Sequence, residues 1–309
     1  MLEIKKSIEQ GFSGKPGGLY DILKQLQNVG LGVQGEVYFV ENNAGSDSND
    51  GSCWDKAFKT LTYALAISHA NIAAGNKGWA SRNTIFIKGD PITEDLTKFA
   101  QKTNVVGVGS TADVPYTTII GTHALEAQAT ADYMGCHFYN IQFQDDGASV
   151  NITIPADQNG IEFHNCLFTM ASGCLTAIKA TSVYRLKIED CKFRPDAIGN
   201  KFANCAIWIL GTTVGGIEIN RNDIYGTIGI DCDSTNAVDC QVKDNLIVAA
   251  TFVIDDESQD LIVSGNNMIT ATANDITPQE VCHVNVKLAV NNVLTGDTKT
   301  TAMPVIATS

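Results

Sequence analysis

The chain lacks several features that would each fix a class. No apolar run approaches the roughly 20 residues needed for a membrane-spanning helix, so anchoring of that kind is not expected. The opening MLEIKKSIEQGFSGKPGG has neither an apolar core nor a small-residue cleavage site, so no signal peptide is expected and the chain should fold in a cytoplasm. Basic residues are scarce: 21 Lys and Arg stand against 34 Asp and Glu, for a net charge of −13 and a pI near 4.7. That leaves no cationic surplus to displace counterions from phosphates, which argues against a nucleic-acid partner. The nine cysteines (53, 136, 166, 174, 191, 205, 232, 240 and 282) contain no CxxC pair, so zinc-ligand spacing is missing. An odd number in a chain made without export argues against a disulfide framework and for free thiols used as small core residues.

What is present describes a globular protein. Hydrophobic residues make up 44% of the 309 and charged residues 18%, enough for one large domain with an appendage or for two ordinary domains. The informative pattern is internal repetition. Apolar residues, then Cys or Asn, one variable residue and a large apolar residue recur at 163–168, 188–193, 219–224, 242–247, 263–269 and 288–294, with a weaker copy at 137–143. With Ile141, Cys166, Cys191, Asn222, Asn245, Asn267 and Asn292 taken as equivalent, the steps are 25, 25, 31, 23, 22 and 25 residues. A second short β-branched segment precedes many copies, at 176–179, 206–210, 228–232 and 251–255, and Gly, Asn, Asp and Ser separate them.

Short alternating segments at near-constant spacing predict a stack of coils, a parallel β-helix, rather than helices or a β-sandwich. Strands in successive coils lie about 4.8 Å apart, so equivalent residues stack. Cys166, Cys191, Asn222, Asn245, Asn267 and Asn292 are then expected to form an inward ladder of mutually satisfied polar groups. Phe168, Phe193, Ile224, Ile247, Ile269 and Leu294 should form the apolar stack beside it.

A solenoid must close its ends. Residues 54–70 place Phe58, Leu61 and Leu65 on one helical face and are expected to form an N-terminal capping helix. Residues 1–35 form a separate arm with a short helix at 19–28, whose Leu19, Tyr20, Ile22, Leu23 and Leu26 are expected to attach it to a partner. The β-helix is expected over 36–295, with a polar C-terminal tail at 296–309.

The stretch Tyr38–Thr60, with its Gly45-Ser-Asp47-Ser-Asn49-Asp50-Gly51 turn and the Ala57-Phe58-Lys-Thr60 that follows, resembles the opening of pectate-lyase-like right-handed parallel β-helix proteins. With the coils behind it, the resemblance covers about residues 36–295. It implies an all-β, right-handed, single-stranded solenoid that often associates as trimers. The family includes secreted polysaccharide lyases and hydrolases, phage tailspikes, and non-enzymatic virion or surface proteins, so fold alone does not select an activity.

Polysaccharide cleavage needs paired carboxylates, or Ca²⁺-binding acids beside a basic residue. The candidates are Asp231 and Asp233 on one coil and Asp255 and Asp256, followed by Glu257, on the next. Asp233 and Asp255 each fall 12 residues before a ladder position and are expected to stack, but the strand pattern puts no Arg or His near them. The Asn-Thr-Asp, His-Gly and Arg-x-Lys signatures of the polygalacturonase branch are missing. Asp47, Asn49 and Asp50 are a weak Ca²⁺ candidate, since a tight turn uses the same residues. Trp208 is a candidate glycan stacker. The five histidines (69, 123, 137, 164 and 283) are isolated along the sequence, with packing or surface roles expected. No cofactor is expected.

Three functional classes follow: a non-enzymatic virion protein such as a phage capsid decoration or short spike subunit, a polysaccharide-degrading enzyme of tailspike type, and a glycan-binding module. The first is expected, as a homotrimer located in the virion and held to the major capsid protein or another virion protein through residues 1–35, with a cell-surface glycan as an additional partner.

Overall fold

The computed structural model describes residues 35–270 apart from 75–80, 110–115, 127–133, 148–149, 157, 171–173, 195–201 and 257–260, together with the backbone of 282–283 and 292–295. The side chains of Asp256 and Thr270 are also outside the described residues. The attachment residues Leu19, Tyr20, Ile22, Leu23 and Leu26 and the tail 296–309 lie outside the description as well.

The expected all-β solenoid is what the chain forms, with about six turns. A nine-stranded sheet runs from Val37–Glu41 through Asn83–Lys88, Thr103–Gly107, Cys136–Tyr139 and Glu162–His164 to Ile262–Ser264, each strand pairing in parallel with its equivalent one coil away. A fifteen-stranded sheet carries the other two faces, which meet in the twelve-residue strand Asp223–Ser234. Period-two alternation puts every second side chain inside. One inward column of the first sheet is Ile85, Val105, Phe138, Phe163, Ile188, Ile219, Val242 and Val263. Another, on the second face, is Ile119, Phe143, Phe168, Phe193, Ile224, Ile247 and Met268. All of these are buried and belong to one continuous core. Full burial of each such side chain contributes about 1.5–3 kcal/mol. Equivalent rings stack directly: Phe138 on Phe163 at 5.4 Å, and Phe168 on Phe193 at 4.5 Å.

The corner between these two columns is set by one backbone device. Asn140, Asn165, Asp190, Arg221, Asp244 and Gly265 all adopt φ between 48° and 72°, the left-handed region that Asn, Asp and Gly enter most readily. The next residue then points inward: Ile141, Cys166, Cys191, Asn222, Asn245 and Asn266, all buried. Each polar member of this ladder donates to a carbonyl of the coil before it. The Cys166 thiol reaches Phe138 O at 3.6 Å, Cys191 reaches Phe163 O at 3.4 Å, and the side-chain amides of Asn222, Asn245 and Asn266 reach Ile188, Ile219 and Val242 O at 2.9–3.0 Å. Cys191, Asn222, Asn245 and Asn266 also accept the backbone N–H one coil back; Cys191 N–H, for example, donates to Asn222 Oδ1 at 2.8 Å. Cysteine thus fills the asparagine slot with a weaker version of the same bonds.

Two expected members are displaced. The ladder residue is Asn266, not Asn267, which is exposed, because the left-handed position falls on Gly265. Asn292 is in register with Asn267 and is therefore also one place off, while its side chain lies outside the described residues. By the same shift the apolar stack continues through Met268 rather than Ile269, and Leu294 pairs with Ile269.

The N-terminal helix is shorter than expected. Trp54–Lys56 is a single 3-10 turn, and Ala57 and Phe58 are extended, with Phe58 bridged to Val40. The helix α1 begins only at Leu61 and runs to Ala73. The Asp47 carboxylate explains the delay. It accepts the N–H groups of Lys59 and Thr60 and the Thr60 hydroxyl at 2.9–3.0 Å, holding those residues out of a helix. Thr60 then caps α1 by accepting Tyr63 N–H, and Glu94 accepts the orphan N–H groups of Leu61 and Thr62. Leu61, Ala64, Leu65 and Ser68 face inward, and α1 packs on the first three strands of the nine-stranded sheet.

Candidate functional site

The outward positions of the third face carry the acidic candidates. Register sets Thr153, Lys179, Trp208, Asp231 and Asp255 in one column. Asp231, which is buried, and Asp255 are therefore neighbours on adjacent strands, spaced about 4.8 Å along the stack. The expected partner of Asp255, Asp233, instead pairs with Leu210 in the adjacent outward column. Coil lengths differ here, so counting back from the ladder misplaces the strand by two residues. Asp256 is in register with inward-facing Cys232. The backbone of Asp255 pairs in turn with that of His283, whose side chain lies outside the described residues.

Trp208 sits at the centre of this column, half-buried, with both its handles in use. Its Nε1–H donates to Asp233 Oδ2 at 2.8 Å, and the Lys179 ammonium lies 4.6 Å from the ring centroid. The indole is thus fixed in orientation by one acid and one cation. A sugar stacking on the same ring face would have to displace Lys179.

At the N-terminal turn the chain itself engages the carboxylates of Asp47 and Asp50 and the amide N–H of Asn49. Asp47 holds Lys59 and Thr60 as described, Asn49 donates to Ala57 O, and Asp50 accepts Ser52 N–H and pairs with Lys56. Among the described residues no three His, Cys, Asp or Glu side chains are grouped so as to hold a metal ion.

A second polar constellation, on the outer face of the nine-stranded sheet, was missed in the sequence. Glu162 takes His137 Nε2 on one carboxylate oxygen at 3.3 Å and His164 Nε2 on the other at 2.7 Å. His164 Nδ1 lies 3.3 Å from Glu189, which also holds Lys187 at 3.3 Å and Arg221 at 2.7 Å. Tyr139 stacks on the His164 ring at 4.9 Å. Burial first, then the Arg82 charge, pushes His137 down to about 4. Burial opposes ionisation of Glu162, yet the His164 hydrogen bond and the nearby cations hold its carboxyl below the usual range. The signal was available: aligning Phe138 with Phe163 sets His137 beside Glu162, and Tyr139 beside His164. His123, in contrast, is a core histidine. It accepts Leu96 N–H through Nδ1, and burial pushes it down to about 4.

The eight described cysteines are all free thiols, and all but Cys53 are buried. Compared with known proteins, the chain matches no family model, no curated protein and no solved structure.

Proposed function

We propose that this chain is a non-enzymatic structural protein of a virion, a phage-type capsid decoration or short spike subunit of the pectate-lyase-like kind, acting as a homotrimer and attached through residues 1–35. The observation that carries this reading is the thiol and amide ladder. Cys166 and Cys191 occupy neighbouring rungs as hydrogen-bonding thiols, an arrangement that suits assembly in a reducing cytoplasm, where virions are built, better than the export route of polysaccharide lyases. The interlocked outer ion pairs add a stiff body of the kind that a presenting scaffold needs. Incubating the full chain with capsids and sedimenting them tests the reading. Co-sedimentation should occur, deletion of 1–35 should abolish it, and light scattering should give a trimer mass. Equal attachment by the truncated chain would refute the arm.

A second reading, a glycan-binding or glycan-cleaving face, is favoured by the column Lys179, Trp208, Asp231 and Asp255. Polysaccharide shortening by the purified chain, abolished by Asp231→Asn, would support cleavage. Quenching of indole fluorescence by an oligosaccharide, lost in Trp208→Phe, would support binding alone.

A further inference from the structure

The outer face of the nine-stranded sheet changes character along the solenoid. Its middle strands, the fourth to the seventh, carry the histidine and carboxylate network, whereas the outward positions of its first four form an apolar stripe in which Phe39 is buried beneath Trp54. Phe39, Phe86, Val106 and Tyr139 are in register on successive strands. Trp54 packs edge-on against Phe39 at 4.7 Å, Phe86 stacks on Phe39 at 5.8 Å, and these residues with Val37 and Ala57 form an apolar cluster separate from the interior core. Phe86, Val106 and Tyr139 remain half-exposed, and Val108 at the edge is 50% exposed.

We infer that this stripe is the docking surface for the chain's own residues 19–28, which lie parked on it when no partner is bound. Three observations select this occupant. The first is position: the segment ends where the stripe begins, since Val37 opens the first strand, and the seven residues 29–35 can span up to about 24 Å. The second is shape: Leu19, Ile22, Leu23 and Leu26 fall at i, i+3, i+4 and i+7, one apolar helical face. Ten helical residues are about 15 Å long, and the four strands of the stripe, spaced about 4.8 Å, extend over about 14 Å. The third is charge. Residues 1–34 carry four lysines against three acids, whereas 35–309 carry seventeen basic against thirty-one acidic residues, so an arm of +1 faces a body of −14.

The test uses the isolated full chain, with no capsid, so its outcome is independent of what the arm attaches to. A photo-crosslinking benzoylphenylalanine replaces Val108, whose exposure makes misfolding a small risk. A second variant carries it at Ile262, exposed at the far end of the same sheet. The expected result is an intramolecular crosslink from position 108 to residues 19–28, with a yield unchanged over tenfold dilution, lost in Leu23→Asp/Leu26→Asp and absent from position 262. A crosslink to another copy, with a yield that falls on dilution, would assign the stripe to self-association and overturn the proposal. Equal yields from positions 108 and 262, or no crosslink to 19–28, would overturn it as well.

Discussion

Asn245 Oδ1 accepts two hydrogen bonds from Asn222, one from its backbone N–H at 2.8 Å and one from its side-chain amide at 3.0 Å. The same relation holds one coil on, between Asn245 and Asn266. Each rung therefore satisfies groups of its neighbours as well as its own.

Asn245→Leu should on that account be far worse than an ordinary loss of one bond. It strands the Asn222 backbone N–H and one of its amide hydrogens inside the core, and takes one bond each from Asn266 Oδ1 and Ile219 O. At about 1–3 kcal/mol for each buried orphan, partly relieved by relaxation, a loss of roughly 3 kcal/mol or more is expected. Urea unfolding measures it, and a change below about 1 kcal/mol would show that the ladder is not a stabilising unit. Cys191→Asn, which restores the amide version of the same slot, should stay within about 1 kcal/mol of the parent.

Acid should weaken the fold through His137. Its folded value near 4 lies below the ordinary 6.5, so above 6.5 both states are neutral and nothing is lost. Between 6.5 and 4 the unfolded chain binds a proton that the folded chain refuses, and stability falls by up to roughly 3 kcal/mol. Glu162 and Glu189, both held below their usual range, extend the loss at lower pH as they protonate. His137→Gln should reduce the slope between pH 6.5 and 4 and leave the share due to buried His123, which is also pushed down to about 4, and an unchanged slope would assign the acid sensitivity elsewhere.

The turn before α1 should respond to Asp47 and not to calcium. Asp47→Ala removes three hydrogen bonds that set the start of the helix and should cost about 1–3 kcal/mol. Millimolar Ca²⁺ should leave the melting temperature of the parent unchanged. A rise of several degrees that Asp47→Ala abolishes would restore the turn as a metal site.

Thiol reactivity should follow burial. Burial is the main cause that pushes Cys174 and Cys205 up to about 12, and Cys136 and Cys191 are also raised. In the native chain, mapped alkylation should label Cys53 alone among the eight described cysteines. Rapid labelling of Cys166 or Cys191 would mean that the coils open at that corner.

Much of this architecture was legible because a solenoid repeats its own evidence. Cys166, Cys191, Asn222 and Asn245 could be aligned by eye, since each is followed two residues later by a large apolar residue. The alignment failed where that cue doubled. Asn266 and Asn267 are consecutive, Met268 and Ile269 are both large, and only the left-handed glycine before Asn266 selects between them. The outward faces were harder to read. Pairing Asp231 with Asp255 depends on strand register across coils of unequal length, which spacing from the inner ladder does not carry, whereas His137 and Glu162 are separated by the same 25 residues as Ile141 and Cys166. The helix start was hidden for a different reason, because Asp47 acts on Lys59 and Thr60 from twelve and thirteen residues away.

The recurring left-handed residue has a consequence for how such a chain can change its length. Because the coils that turn at Asn165, Asp190, Arg221, Asp244 and Gly265 leave the corner with nearly the same dihedral and hand equivalent bonds to the next, a segment such as 191–221 is interchangeable at its two ends. Removal or duplication of a whole coil would rejoin matching geometry, whereas a change of one residue within a strand would turn its inner side chains outward. Growth of this molecule is therefore quantised in full turns, and variation in loop length is confined to corners that the ladder does not use.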